Sequence, residues 1–277
     1  MPELPEVETM RRGILAAVGC RIVEATKLPC RRRPIAIKPS PAVFRRRVQG
    51  ATITEVGRTG KRVVLWLDTR EAIVIEPRMT GLVLVSDAPS SEHLRWKLEL
   101  AGGALEAIFY WDRRGLGSVR LFTEKDFQRE FGPDKLGPDA LSITAAELQS
   151  RLSKSHREIK VALLDQRVLA GIGNLYAAEI LHAASLHPQK PCSQLKPRHW
   201  QAIVAATRRV LADAIRYEGS TLGDGTYRNA LNQAGGYQNH HRVYARAGEP
   251  CPSCERGVIE RIVQAQRATF FCGRCQK

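Results

Sequence analysis

Four cysteines near the C-terminus constrain this chain more than any other feature. Cys251, Cys254, Cys272 and Cys275 stand as C-x2-C-x17-C-x2-C in "CPSCERGVIERIVQAQRATFFCGRC". Each close pair brings two thiolates to one metal ion, and the spacing lies in the range of four-cysteine zinc sites. The intervening "VIERIVQAQRATFF" has strand character, so a hairpin would return the second pair to the first. A pair of disulfides is the competing use of such cysteines and suits an oxidising compartment. The N-terminus has no basic-then-apolar leader and the chain has no run of 18 apolar residues, so an intracellular, soluble, cytoplasmic protein with no membrane partner is expected. In that setting zinc is the better reading. Four cysteines leave no open coordination position, which makes one structural ion the expectation. Cys20, Cys30 and Cys192 lack such spacing and read as ordinary thiols.

The rest of the chain changes texture part-way along. Leu4, Val7, Met10, Ile14, Leu15 and Val18 recur at helical spacing, with Gly19 as a stop, and predict an amphipathic helix over 3–18. From Cys20 to about Leu121, short apolar or alternating runs ("ATITEV", "VVLWL", "AIVIE", "LVLVS", "LRWKLEL", "ALEAIFYW") are broken by Gly, Asp, Pro and Thr. That is the pattern of a β-sandwich or barrel-like domain. "FGPDKLGPDA" holds two Gly-Pro steps and reads as a linker. Beyond it "TAAELQSRLS", "EIKVALLDQ", "GNLYAAEILHAA" and "PRHWQAIVAATRRVLADAIRYEG" have helical period. Residues 219–240, rich in Gly, Asn and Gln, read as a mobile surface loop. A length of 277 residues suffices for two domains with cores of their own.

Charge narrows the partner. Lys and Arg total 43 against 28 Asp and Glu, a net +15, which suits a polyanion and most simply nucleic acid. It says nothing about catalysis. Arg267, with Arg261 nearby, falls on the expected hairpin, a rigid projection suited to a groove, although a solvated charged face has the same composition. "AGIGNLYAAE" (170–179) is not a dinucleotide fingerprint, because no strand precedes it and the third glycine is missing. Gly171 and Gly173 instead build a tight turn into a helix starting near Asn174. That turn is either structural or offers its N–H groups, with the Asn174 amide, to a phosphate.

The opening "MPELPEVETM" has a bland reading and a chemical one. Pro2 and Pro5 suit the first turn of a helix, and Glu3, Glu6 and Glu8 suit its positive end. Removal of Met1, however, would expose Pro2 as a free secondary amine, and an α-amino pKa of ~7.7–8.0 leaves free base near neutrality. Condensed with a sugar aldehyde carbon, that amine gives an iminium with no N–H proton to lose. The charge then persists as an electron sink for elimination at the neighbouring carbon. Glu3 stands beside it to move protons.

Five strings together resemble one family across the whole chain: "MPELPEVET", Lys61 in "GKRVVLWL", Met79 in "RMTG", "IKVALLDQRVLAGIGNLYAAE" and "AQRATFFCGRCQK". They are similar to the formamidopyrimidine-DNA glycosylases, bifunctional base-excision repair enzymes related to endonuclease VIII. The resemblance implies an α+β fold. A leading helix and β-sandwich would form the catalytic domain over 1–130, followed by a linker over 131–141. A helical helix–two-turns–helix DNA-binding domain would span 142–240, with a lesion-capping loop around 219–237, and a zinc finger would span 241–277. It implies a glycosylase/AP lyase that removes oxidised purines (8-oxoguanine, formamidopyrimidines) from damaged double-stranded DNA by a Pro2 Schiff base and β,δ-elimination. The enzyme would be a monomer in the bacterial cytoplasm, associated with the nucleoid.

In that scheme Pro2 is the nucleophile and Glu3 its acid/base partner, with Lys61 and Arg267 completing the catalytic set. Asn174 and Tyr244 join Lys61 and Arg267 on phosphates around the lesion. Met79, Arg114 and Leu116 fill the gap left by the flipped base, and Glu6 and Lys160 complete the DNA-facing set. Removal of oxidised pyrimidines, or a zinc-ribbon DNA binder without catalysis, are the alternatives, and the presence of both Pro2 and Glu3 speaks against the second. The chain departs from the family pattern in "DRRGLG" (112–117), where Gly115 replaces the usual second arginine and Leu116 the wedge phenylalanine. Glu76, followed by "PR", stands where relatives often have histidine.

Overall fold

The runs "VVLWL" and "AIVIE" are continuous rather than alternating because both faces of their sheet are covered. In the computed structural model, which describes residues 2–277, β4 (Arg62–Leu67) and β5 (Glu71–Glu76) send Val63, Leu65, Ile73 and Ile75 into the main core. Val64, Ala72 and Val74 face the other way and pack with Phe131 of α3 (Glu124–Phe131). Phe127 of the same helix meets Trp66 at 4.8 Å and Phe131 at 5.1 Å between ring centroids.

The chain divides into two compact units, Met1–Gly132 with Ile215–Gln238, and Pro133–Ala214 with Asn239–Lys277. The first is a two-sheet sandwich with a leading helix, α1 (Leu4–Gly13). One sheet has five strands in the order β2 (Ala36–Lys38), β9 (Ser118–Thr123), β5, β4 and β3 (Ile53–Thr59). The other has four, β1 (Arg21–Lys27), β7 (Leu94–Ala101), β8 (Ala107–Asp112) and β6 (Gly81–Leu84). Every pairing is antiparallel except β2 with β9. Val7, Met10 and Ile14 enter the same core as Ile22, Trp96, Leu98 and Tyr110, with α2 (Pro41–Val48) adding Phe44.

The expected helix over 3–18 is broken. Gly13 lies so close to Ala230 that a Cβ there would come within 2.2 Å of the alanine Cβ. At Ile14 the backbone leaves helical geometry (φ −112°, ψ 12°) and a 3-10 turn, Leu15–Ala17, follows. Leu15 and Val18, which fit the helical stripe in sequence, are exposed as a result.

Residues 219–240 are also more ordered than their composition suggests. The segment Ile215–Gln238 packs within the first unit rather than with the helices that precede it. Ser220, Thr226, Tyr227, Asn229, Ala230 and Tyr237 are buried, while 223–225 stay exposed. Val85 N–H donates to Ala230 O at 2.9 Å, and Tyr227 Oη donates to Glu218 O at 2.9 Å.

The second unit is helical and ends in a hairpin. Its helices are α4 (Ala145–Leu152), α5 (Ile159–Leu163), α6 (Asn174–Ala183) and α7 (Pro197–Arg216), the last of which carries the chain back to the first unit. Thr144 and Glu147 cap α4 reciprocally, with Thr144 N–H on Glu147 Oε2 at 2.8 Å. The hairpin is β10 (Ile259–Gln264) with β11 (Arg267–Cys272), in the register that pairs Gln264 with Arg267 and Ile259 with Cys272. The Gly-Pro stretch expected to link the domains is held by backbone bonds within this unit. Gly137 N–H donates to Gln166 O at 2.8 Å and Ala170 N–H to Pro138 O at 2.9 Å.

Candidate functional site

The N-terminal end of α1 is built by carboxylates. Pro2 and Glu3 are buried, the latter 4% exposed. Pro5 occupies the first helical turn, where no N–H partner is required, and Glu3 and Glu6 form a reciprocal capping box. Glu3 N–H donates to Glu6 Oε2 at 2.8 Å, and Ser220 N–H donates to Glu6 Oε1 at 2.9 Å. Both Glu6 oxygens thus tie protein to protein. Glu6 thereby ties the 215–238 segment to the terminus that carries Pro2.

Further along the helix, Glu8 receives Arg11 Nη2 at 2.8 Å, Arg12 Nε at 2.9 Å and Arg58 Nε at 3.2 Å. Burial raises its pKa, but the hydrogen bonds from Arg11 and Arg12 and the charges of Arg11 and Arg58 outweigh that and hold it at about 2. Because Arg58 lies on β3 and Arg11 Nη1 donates to Val56 O at 3.1 Å, this cluster seats α1 on the β3–β4 hairpin. Lys61 sits half-buried in the turn of that hairpin, between the paired residues Thr59 and Arg62.

Met79, Arg114 and Leu116 lie on two turns that are fastened together. Asp112 is fully buried. It accepts Thr80 Oγ1–H and Arg114 N–H (3.1 Å) at Oδ1, and Gly117 N–H (2.8 Å) at Oδ2. Thr80 Oγ1 in turn accepts Arg114 N–H at 3.0 Å. Arg95, itself buried, donates from Nε to Asp112 O at 2.7 Å. Gly115 has φ +61° and a Cβ there would lie 2.1 Å from Arg33 O, so no larger residue fits. The turns leave Met79 40% exposed, Arg113 and Arg114 exposed and Leu116 half-buried.

In the second unit Asn174 and Arg267 are organised by a buried lysine. Lys160 is fully buried, and its Nζ donates to Asn174 Oδ1 at 2.6 Å, Thr269 Oγ1 at 2.7 Å and Ala268 O at 3.2 Å. Asn174 Nδ2 also donates to Ala268 O at 2.9 Å. Lys160, expected to face DNA, therefore points inward and fixes the hairpin to the start of α6. Gln166 braces the turn before α6, accepting Gly171 N–H at 3.0 Å and donating to Ile172 O at 2.8 Å. Ala265 and Gln266 both take the left-handed backbone (φ 45° and 62°) of a two-residue hairpin turn, which leaves Arg267 exposed at its end. Half-buried Tyr244 packs edge-on to Phe270 at 5.3 Å, while its backbone N–H and those of Arg242 and Val243 are held by the buried Glu179 carboxylate at 2.8–3.0 Å.

The four cysteine Sγ atoms lie within 4.8 Å of one another, with Cys251–Cys275 at 3.6 Å and Cys254–Cys272 at 3.9 Å. Tetrahedral zinc with bonds of about 2.3 Å requires sulfurs about 3.8 Å apart, so these residues fit the ion. His182 of α6 is buried and sets Nε2 3.5 Å from Cys251 Sγ. Burial, then the Arg242 charge, pushes its pKa down to about 4, so a neutral ring faces the thiol. No spacing rule links His182 to the cysteines, and only the packing of α6 against the hairpin reveals it.

The comparisons with known proteins agree along the whole length. The chain matches models described as the formamidopyrimidine-DNA glycosylase N-terminal domain over residues 1–119 and its H2TH domain over 136–225. Residues 248–277 match the zinc finger found in FPG and IleRS. It is 39% identical to the formamidopyrimidine-DNA glycosylase of Chloroflexus aurantiacus, covering 100% of this chain and 98% of that one, and 35% identical to that of Bacillus subtilis, covering 100% and 99%. Among solved structures, the Fpg (MutM) protein of Thermus thermophilus superposes with a TM-score of 0.85 at 36% identity, covering 99% and 98% of the two chains. The Lactococcus lactis Fpg in complex with DNA containing an abasic site gives 0.86 at 30%, covering 99% of each.

Proposed function

This chain belongs to the formamidopyrimidine-DNA glycosylase family, and from that premise we propose that it excises oxidised purines from duplex DNA and cuts the strand as an AP lyase, with Pro2 as the covalent nucleophile. The observation that carries this reading is the burial of Pro2 and Glu3 at a helix start clamped by Glu6. A terminus held this firmly is suited to chemistry.

After removal of Met1, the Pro2 amine attacks C1′ of the damaged nucleotide and the base departs with its bonding electrons, taking a proton. Ring opening of the sugar leaves an iminium between Pro2 nitrogen and C1′. Loss of the C2′ proton expels the 3′ phosphate, and a second elimination expels the 5′ phosphate, each step drawing electrons toward the cationic nitrogen. In this scheme Glu3 donates to the sugar and accepts protons. Water then hydrolyses the iminium and restores the amine.

Met79, Arg114 and Leu116 fill the space of the extruded base. Lys61, Asn174, Tyr244 and Arg267 hold phosphates near the lesion. One zinc ion on Cys251, Cys254, Cys272 and Cys275 keeps the hairpin rigid and supplies no chemistry to the reaction. The net charge of +15 suits the duplex partner. The enzyme in this reading is a monomer that works on the nucleoid. Among the described residues no helix is long and apolar enough to cross a membrane.

Oxidised pyrimidines are the second substrate class to compare, since a solved neighbour, the wild-type Lactococcus lactis Fpg, is described in complex with DNA containing an oxidised pyrimidine. Single-turnover excision on duplexes carrying 8-oxoguanine, a formamidopyrimidine or an oxidised pyrimidine tests the assignment. Faster release of the two purine lesions supports it, and faster release of the pyrimidine overturns it.

A further inference from the structure

Arg78 occupies a backbone conformation that an arginine does not favour. It has φ +55°, in the left-handed region, and immediately precedes Met79. A residue with a Cβ is disfavoured there and glycine is not. The side chain returns little to the fold, being 60% exposed and reaching Glu76 Oε1 only at 3.7 Å. That oxygen already receives Arg62 Nη2 at 3.0 Å, and Arg120 Nη2 lies 3.9 Å from Oε2. Arg62 and Arg120 are far less exposed, at 21% each, and are stacked on aromatic rings, 4.9 Å from Phe131 and 5.0 Å from Phe122. Glu76 therefore keeps two cations when Arg78 leaves it. Release of Arg78 orphans no buried charge.

We propose that Arg78 is a further DNA-contacting residue, whose guanidinium leaves Glu76 to bind a backbone phosphate beside the gap filled by Met79. The inference rests on the reading of this turn as the one that enters the duplex. Strain kept at an exposed side chain with one long ion pair points to a partner outside the fold. Met79 and Arg78 are consecutive, so when Met79 enters the base stack its neighbour is directed to the rim, where the phosphates are. The staple between Thr80 and Asp112 holds the turn against the loop of Gly115, so Arg78 adds a cation beside a position that has no side chain to offer.

Arg78→Gly, Arg78→Gln and Arg78→Lys separate charge from backbone effects. Affinity for a duplex containing a tetrahydrofuran abasic-site analogue opposite cytosine is measured over a range of salt. The Gly and Gln variants are expected to bind about fivefold more weakly at low salt, with the log–log salt slope reduced by about 0.9, the value for one phosphate contact. The Arg78→Lys variant keeps the charge and retains the slope. Since glycine suits φ +55°, the Gly variant keeps a Tm no lower than the parent. Unchanged affinity and slope in both uncharged variants would overturn the proposal, as would a changed opposite-base ranking at constant slope, which assigns Arg78 to a base instead. Failure of the functional reading itself is a separate observation, because it leaves the parent protein unable to form any borohydride-trapped adduct with a lesion duplex.

Discussion

The two ends of the chain hold their working residues by opposite means. At the N-terminus, anions do the holding: Glu3 and Glu6 cap α1, Glu6 reaches Ser220, and Glu8 gathers Arg11, Arg12 and Arg58. At the hairpin the holding is done by a buried cation, Lys160, and by four cysteines set for a metal. The difference follows from what each region presents. In the proposed function the first presents the Pro2 amine, which must lose a proton before it can attack, with Glu3 as the proposed acid/base partner. In the same proposal the second presents to phosphates Arg267 and the Asn174 amide, which need only a rigid support. The first region is thus held by carboxylate caps and ion pairs, the second by buried hydrogen bonds and four clustered cysteines.

The largest effect expected from breaking this contrast is on the metal side. Cys272→Ser should lower zinc from about one equivalent and reduce duplex affinity more than about a hundredfold, because structural zinc stabilises such a finger outright. Elemental analysis and a binding titration on one preparation check both parts. Full affinity without zinc would mean that packing alone sets the hairpin.

Glu6→Ala should come next. It leaves Glu3 N–H and Ser220 N–H without their charged acceptor, at about 1.5–3 kcal/mol for each bond. Excision should slow more than about tenfold while an abasic-analogue duplex is still bound. Equal loss of binding and excision would indicate that Glu6 acts on the whole sandwich rather than on the terminus. Lys160→Met removes the three bonds that seat the hairpin tip and should weaken duplex binding about tenfold with zinc content unchanged. Unaltered binding would show the metal to be sufficient.

The smallest effect is pH-dependent. The folded pKa of Glu8 is about 2, below the ordinary 4.5, so its contribution is present in full above pH 4.5 and is lost as pH falls through 2. Glu8→Gln should therefore cost about 2 kcal/mol at neutral pH, with allowance for screening at half-exposed Arg12, and nothing once pH has fallen below the folded pKa. Denaturant unfolding of both proteins across that range reads the difference directly. A penalty that persists unchanged at the acid end would assign it to shape rather than charge.

Much of this was legible in the residues. The cysteine spacing specifies the hairpin, and the glycines of "AGIGNLY" place the start of α6 at Asn174. Apolar or alternating runs mark β3 to β8, and those of β4 and β5 are continuous because both faces of their sheet are covered. What escapes the sequence is pairing over distance. Glu6 and Ser220 are 214 residues apart, and no periodicity announces that one accepts from the other. Lys160 looks like any surface lysine until β11 supplies Thr269, and His182 looks like a helix-end histidine until Cys251 arrives beside it. The staple between Thr80 and Asp112 is likewise invisible, although it decides how Met79 and Arg114 are presented.

Borohydride trapping on a duplex containing 8-oxoguanine opposite cytosine tests the central claim most directly. The protein with a free Pro2 terminus and a version extended by one blocked residue are compared, and the adduct is located by peptide mapping. The account predicts a covalent complex through Pro2 in the first protein and none in the second, with duplex binding retained by both. An equal yield from the blocked protein, or an adduct mapped to Lys61, would contradict it.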